Sequence, residues 1–178
     1  MSDVGANCAQ GRLWNSFLID LLSSRSHHAV MSMIRSATPA DLPEVKVVVH
    51  AAYSSYVARI GKEPGPMQDD YASLIGQGRV YVIDDGGVVG VLVLIPERDA
   101  MLLDNVAVRP EAQGKGYGRR LLAFAEDEAR QHGFSQIRLY TNVLMVENLS
   151  LYSSLGYIET RRGEQNGYSR VFMEKSLH

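Results

Sequence analysis

The residues best suited to chemistry are six in a row, Gln113-Gly114-Lys115-Gly116-Tyr117-Gly118. They follow the apolar run Met101–Val108 and lead into the amphipathic run Arg119–His132, a pattern that reads strand, glycine turn, helix. The first N–H groups of a helix have no intrahelical partner, and the macrodipole adds positive charge there, so such a turn suits an anion and above all a phosphate. Glycines at 114, 116 and 118 let the backbone approach a ligand closely. The spacing excludes two known phosphate loops. A dinucleotide fingerprint needs G-x-G-x-x-G, whereas these glycines read G-x-G-x-G, and a Walker loop needs Ser or Thr after Gly-Lys, where Gly116 stands.

The elements that must position this turn follow from the patterning around it. Ile34–Ala37 reads as a short edge strand, and Thr38-Pro39-Ala40-Asp41 as a helix start with a capping Thr, an early Pro and an acid three positions on. That helix is expected to run to about Arg59. Gly61–Pro66 holds two prolines and two glycines and is expected to be a loop without regular structure. A short helix follows near Asp69–Ile75. Val80–Ile83 and Val88–Ile95 flank Asp84-Asp85-Gly86-Gly87 and predict a hairpin, and Met101–Val108 adds a third antiparallel strand. The helix after Gly118 turns Leu121, Leu122, Ala125 and Ala129 toward a core and stops at His132-Gly133. Ile137–Asn142, reached through that helix, should lie parallel to Met101–Val108 by a right-handed crossover. A helix near Glu147–Leu155 and two last strands, near Tyr157–Arg161 and Tyr168–Lys175 around a turn at Gly163–Gly167, complete the reading.

Length and composition bound the rest. At 178 residues the chain suits one domain, or one domain with an appendage. A formal charge of -2 gives no general electrostatic reason to bind nucleic acid or a membrane surface. Cys8 is the sole cysteine, which excludes an internal disulfide, and no second Cys near it supports a metal. His27-His28 lacks a carboxylate or Cys partner nearby, so no metal is expected there. No apolar run approaches the roughly 20 residues that span a bilayer, and a cytoplasmic location is the default. Residues 1–32 read as an N-terminal extension to the domain at 33–178. Leu13, Trp14, Phe17, Leu18, Leu21 and Leu22 would share one helix face, with Ser23–His28 as a polar linker. Acidic and polar residues disfavour a secretory signal. The extension is either dispensable, with Met31 or Met33 as an alternative start, or a helix docked on the domain or a second subunit; the exposed apolar face would favour a homodimer.

With the glycine turn goes a second motif, Glu147-Asn148-Leu149-Ser150-Leu151-Tyr152-Ser153-Ser154-Leu155-Gly156-Tyr157, in which Asn148 and Tyr152 share a helix face. The first matches Q/R-x-x-G-x-G/A at Gln113, Gly116 and Gly118; the second is similar to N-x-x-x-x-Y followed by a Leu-Gly-aromatic helix end. In these motifs and in its order of elements, roughly Ile34–Lys175 resembles the GNAT N-acetyltransferase superfamily. The resemblance implies an α/β (α+β) fold: a single domain with a mixed central sheet of about six to seven strands flanked by helices, in which splayed parallel strands form an acyl-CoA cleft. It implies acetyl-CoA as co-substrate, no metal, and transfer of the acetyl group to a primary amine by direct attack in a ternary complex. The coenzyme residues it implies are Val106, Ala107, Val108, Gln113, Gly114, Lys115, Gly116, Tyr117, Gly118, Arg119, Asn142, Asn148 and Tyr152. Among them the loop amides would hold the pyrophosphate, and Val106 N–H would face the thioester oxygen.

Tyr152 is the candidate general acid toward the departing thiolate. Asp104 is the candidate base: strand alternation puts it on the face of Val106 and Val108, where partial burial would raise its pKa and a water could relay the proton. Asp104 as a hydrogen-bonded structural carboxylate, and His50 as a weaker base, stay open. The acceptor also stays open between a small molecule and a protein. Asp69, Asp70 and Tyr71 could attract a cationic amine, or simply start a helix. The competing function class is a non-catalytic acyl-CoA-binding sensor or assembly module.

Overall fold

The computed structural model describes residues 32–178, so the expected extension and its apolar face lie outside the described residues. Seven strands form one mixed sheet: β1 (Met33–Ser36), β2 (Val80–Asp84), β3 (Val88–Pro96), β4 (Met101–Val108), β5 (Gln136–Asn142), β6 (Ile158–Gln165) and β7 (Tyr168–Ser176). Their spatial order is β1-β2-β3-β4-β5-β7-β6. Four helices flank the sheet, α1 (Leu42–Ile60), α2 (Tyr71–Gly76), α3 (Tyr117–Gln131) and α4 (Val146–Ser154). β4 and β5 are the one parallel pair, as a strand–helix–strand crossover requires; all other neighbours are antiparallel.

Local chemistry accounts for the element ends. Thr38 and Asp41 form a reciprocal capping box before α1, and Asp41 also accepts two hydrogen bonds from Arg35 of β1, at 2.8 and 2.9 Å. Gly61 closes α1 at φ 81°, a left-handed conformation that costs glycine little. Asp70 caps α2 by accepting from Ser73 N–H at 3.2 Å. The 61–66 segment departs from expectation: Gly65–Met67 forms a turn of 3₁₀ helix that tolerates Pro66 at its start. The final hairpin also differs. β6 runs to Gln165, and the turn is the pair Asn166-Gly167, both at positive φ (53° and 72°). Asn-Gly is the pairing that a two-residue turn of this hand demands.

Two apolar clusters hold the layers together. Val45, Val48 and Val49 of α1 pack with Tyr71, Val80, Val82, Val91, Val93 and Ala107 on one face of the sheet. Leu121, Leu122, Ala125 and Ala129 of α3 pack with Ile83, Leu92, Leu94, Met101, Leu103, Ile137 and Leu139 on the other, together with Tyr152 of α4. The faces reveal a switch inside β4, because Met101 and Leu103 face α3 while Ala107, of the same parity, faces α1. The cause is a β-bulge. Val93 pairs with Asn105 and Leu94 with Leu103, so Asp104 is the extra residue.

Candidate functional site

The sheet opens between β4 and β5. Their ladder has three rungs, Met101–Ile137, Leu102–Arg138 and Leu103–Leu139, and Val106 and Val108 have no partner on β5. Bonded and non-bonded pairs alternate along an antiparallel ladder. Arg109 N–H donates to Val89 O at 2.9 Å, so Val91–Ala107 is a bonded pair and Leu92–Val106 is not. The N–H and C=O of Val106 therefore point away from β3 into the opening, where the Tyr53 hydroxyl lies 3.4 Å from the Val106 carbonyl oxygen.

Two cavities meet in this opening. One is a groove that runs from the glycine turn to α4; its walls include Val106, Ala107, Val108, Gln113, Gly114, Gly116, Tyr117, Gly118, Arg119, Asn148 and Tyr152. The other enters from the loop after α1 and is lined by Ile60, Pro64, Gly65, Asp104, Tyr140, Met145, Tyr168 and Arg170, among others. Tyr53, Val106, Asn148 and Tyr152 line both.

The groove's anion end is built from backbone. Gly114 and Gly116 sit at φ 78° and 85°, where a side chain would strain the chain, whereas Gly118 is already helical. Arg120 N–H is the first in α3 to reach a helical acceptor, Gly116 O at 3.1 Å, which leaves the amides of Tyr117, Gly118 and Arg119 without one. Gln113 is held by its Nε2–H donating to Val108 O at 3.2 Å. Together these groups form a positive, donor-rich cradle suited to phosphate.

Where the cavities meet, Tyr152 is 5% exposed and packs edge-on against Tyr157, with ring centroids 5.8 Å apart. Burial pushes its hydroxyl well above the ordinary tyrosine value, so it stays a proton donor throughout the pH range of amine chemistry. Tyr53 is fixed by donating to Asn105 Oδ1 at 2.7 Å, and Asn105 Nδ2–H donates to the Tyr71 hydroxyl at 2.9 Å, itself bonded to Pro66 O at 2.9 Å. This relay ties β4 to α1, α2 and the loop between them.

Two expectations need correction. Asp104 does not share a face with Val106 and Val108, because the bulge turns it toward the second cavity, where it accepts a hydrogen bond from the Tyr140 hydroxyl. Asn142 lines that same cavity and not the groove; its Oδ1 accepts from Leu144 N–H at 2.9 Å. Lys115 lines a separate depression with Glu44 and Asp85. His50 is exposed on α1, away from both cavities, and Asp70 is engaged as a helix cap. Asp69 lies beside His50 in a shallow depression, half-buried; burial, and secondarily the charge of Asp104, raise its carboxyl to about 6, with Arg170 pulling the other way. Sequence reasoning missed Tyr53 and Arg170, which carry no motif. Among the described residues no cluster of His, Cys, Asp and Glu is placed to hold a metal, and no helix is long and apolar enough to cross a membrane.

Comparison with known proteins agrees with this geometry. Residues 76–159, from the end of α2 to the start of β6, match the model of the acetyltransferase (GNAT) domain. An IAA acetyltransferase of Azospirillum brasilense is 40% identical over 109 residues, which are 59% of this chain and 62% of that protein. A Xenopus tropicalis protein named probable N-acetyltransferase 14 is 33% identical over 101 residues, 54% of this chain and 49% of its own length. The chain thus spans about half the length of the curated relatives it matches. In fold, it is similar to the PaiA N-acetyltransferase of Thermoplasma acidophilum, solved in complex with coenzyme A, with a TM-score of 0.68 at 19% identity over 82% of this chain and 98% of that one. It is also similar to the ribosomal-protein-S18-alanine N-acetyltransferase of Escherichia coli, with a TM-score of 0.66 at 23% identity over 83% and 94% of the two chains.

Proposed function

Because this chain belongs to the GNAT acetyltransferase superfamily, we propose that it transfers an acetyl group from acetyl-CoA to a primary amine by direct attack in a ternary complex. The single observation that carries the reading is the meeting of two cavities at Val106 and Tyr152, one with an anion cradle at its far end and one open to a second substrate. The pyrophosphate of acetyl-CoA binds the amides of the Gln113–Gly118 turn and the first turn of α3, with Arg119 beside them. The pantetheine arm lies along the free edge of β4, and the thioester reaches the junction.

The amine enters through the second cavity, and its lone pair attacks the acetyl carbonyl. Charge that builds on the carbonyl oxygen is met by Val106 N–H, preset in the opening by the ladder register. As the carbon–sulfur bond breaks, Tyr152 donates its proton to the departing sulfur. The proton released by the nitrogen passes through water to Asp104, and Tyr152 is reprotonated from solvent. No step needs a covalent acetyl-enzyme. Acetyl-CoA mixed with protein alone should therefore leave the protein mass unchanged, while thiol release should require an amine; a stoichiometric mass gain of one acetyl group that an added amine then removes would contradict direct transfer.

A further inference from the structure

Among the described residues Arg170 is the one strongly buried cation beside the junction, at 9% exposure, and it lines the second cavity. Buried guanidinium groups are ordinarily matched by carboxylates, because an unpaired buried charge is costly. Even arginines that are less buried find one: Arg35, Arg138 and Arg109, each a quarter to a third exposed, meet Asp41 at 2.8 Å, Asp99 at 2.9 Å and Glu44 at 3.8 Å. Among the described residues Arg170 has no carboxylate within 4.0 Å. Its partners are neutral: Nη1–H donates to Gln165 Oε1 at 3.1 Å, and the guanidinium lies over the Tyr140 ring at 3.8 Å, with the Tyr168 ring at 5.8 Å.

The rest of the fork opens on the cavity. A guanidinium has five N–H donors, and none of the nitrogens of Arg170 is sealed in the protein without a partner. Nη2 stands 3.9 Å from where a Cβ on Gly65 would sit, and Gly65 is itself part of the cavity wall. Tyr140 links this cation to an anion, because its hydroxyl donates to Asp104 while its ring supports Arg170. The acceptor side of the site is therefore dipolar, with a carboxylate and a guanidinium one tyrosine ring apart. Its walls also carry the apolar and aromatic side chains of Ile60, Leu103, Met145 and Tyr168, with the uncharged polar groups of Asn105, Thr141, Asn142 and Asn148 between them.

We propose that the acceptor is an amine that also carries a carboxylate, a molecule of the amino acid class, with Arg170 binding its carboxylate and Asp104 facing its amine. This rests on the acetyltransferase reading above and narrows it. A planar carboxylate accepts two parallel N–H bonds from the guanidinium fork, which is the pairing that Arg170 lacks within the protein.

The test is a panel of amino acids with apolar or aromatic side chains, each paired with its decarboxylated amine, assayed with wild type and with Arg170→Gln and Arg170→Lys. Wild type should favour the carboxylate-bearing member by on the order of 10- to 100-fold in kcat/KM, the size of one charged hydrogen-bonded contact. Arg170→Gln should bring that ratio to about one through loss on the carboxylate-bearing member, Arg170→Lys should recover part of it, and neither should change acetyl-CoA affinity. Equal use of both members by the wild type, or acetylation of the decarboxylated amines alone, overturns the proposal and leaves acetyl transfer standing. So does acetyl-CoA binding with no carboxylate-bearing amine acetylated. Absence of acetyl-CoA binding to the wild type would instead overturn the underlying function, and this inference with it.

Discussion

Leu103 and Leu139 form the last rung between β4 and β5, and the next residue of β4 is the bulged Asp104. One local irregularity thus coincides with three features of the site. The parallel ladder ends, the face of β4 reverses so that Val106 and Val108 turn toward α3, and the Asp104 carboxylate turns into the second cavity. A regular β4 continued from Leu103 would place Val106 and Val108 on the α1 face instead.

Tyr152→Phe tests the proton donor. The ring and its contact with Tyr157 survive, so folding and acetyl-CoA affinity should stay within about threefold of wild type. Loss of a general acid should lower kcat by about 100-fold. Steady-state kinetics beside calorimetry separate the two quantities, and unchanged turnover would exclude Tyr152 as the acid. A protein that binds acetyl-CoA but never turns over in either form would be the non-catalytic module.

Asp69 gives a pH signature in stability. Its folded value of about 6 lies above the unfolded 3.8, so the folded state holds this proton more tightly. The stabilisation is complete below about pH 3.8 and is lost as pH rises through about 6. Solvent reaches the half-buried group, which limits the effect to on the order of 1 kcal/mol. Asp69→Asn should therefore be more stable than wild type by about that amount at pH 7.5 and gain little at pH 4. Urea denaturation at the two pH values measures the difference; an equal gain at both would rule out a raised Asp69.

Gly90→Ala tests the packing that seats α3 on the sheet. A Cβ at Gly90 would stand 2.7 Å from Ile83 Cγ2 and 3.0 Å from Leu121 Cδ1. Overpacking of this kind costs about 2 kcal/mol, a fall in Tm of about 6 °C. Leu121→Ala in the same chain should relieve part of it, so the double variant should be more stable than the sum of single effects allows. Simple additivity would show that the contact is absent.

The sequence displayed some parts of this architecture and hid others for physical reasons. The bounds of β4 were legible because alternation stops sharply at Val108, and the start of α3 was legible to within two residues: the glycine spacing pointed to a start after Gly118, whereas the helix begins at Tyr117. Asn148 and Tyr152 were legible as helix neighbours four apart, and the structure does bring both to the junction. The bulge was not, since nothing in Leu-Asp-Asn-Val signals an extra residue, and a shift of one reverses every later side chain. That is why Asp104 was expected on the wrong face. Arg170 and Tyr53 stayed hidden because their roles arise from strands and helices that meet only in three dimensions. The Asn166-Gly167 turn was a signal present and passed over in favour of a wider turn.

Whether the glycine turn holds acetyl-CoA is measured by calorimetric titration of acetyl-CoA into wild type, Gly116→Ala and Gly116→Glu. Gly116 sits at φ 85° with no atom within 4 Å of a built Cβ, so both substitutions carry the same backbone strain, about 1 to 2 kcal/mol, and glutamate alone adds a negative charge facing the phosphates. Acetyl-CoA should bind wild type, bind a folded Gly116→Ala more weakly, and not bind a folded Gly116→Glu. Equal affinity in Gly116→Ala and Gly116→Glu, or no binding to the wild type, would contradict a coenzyme site at this turn.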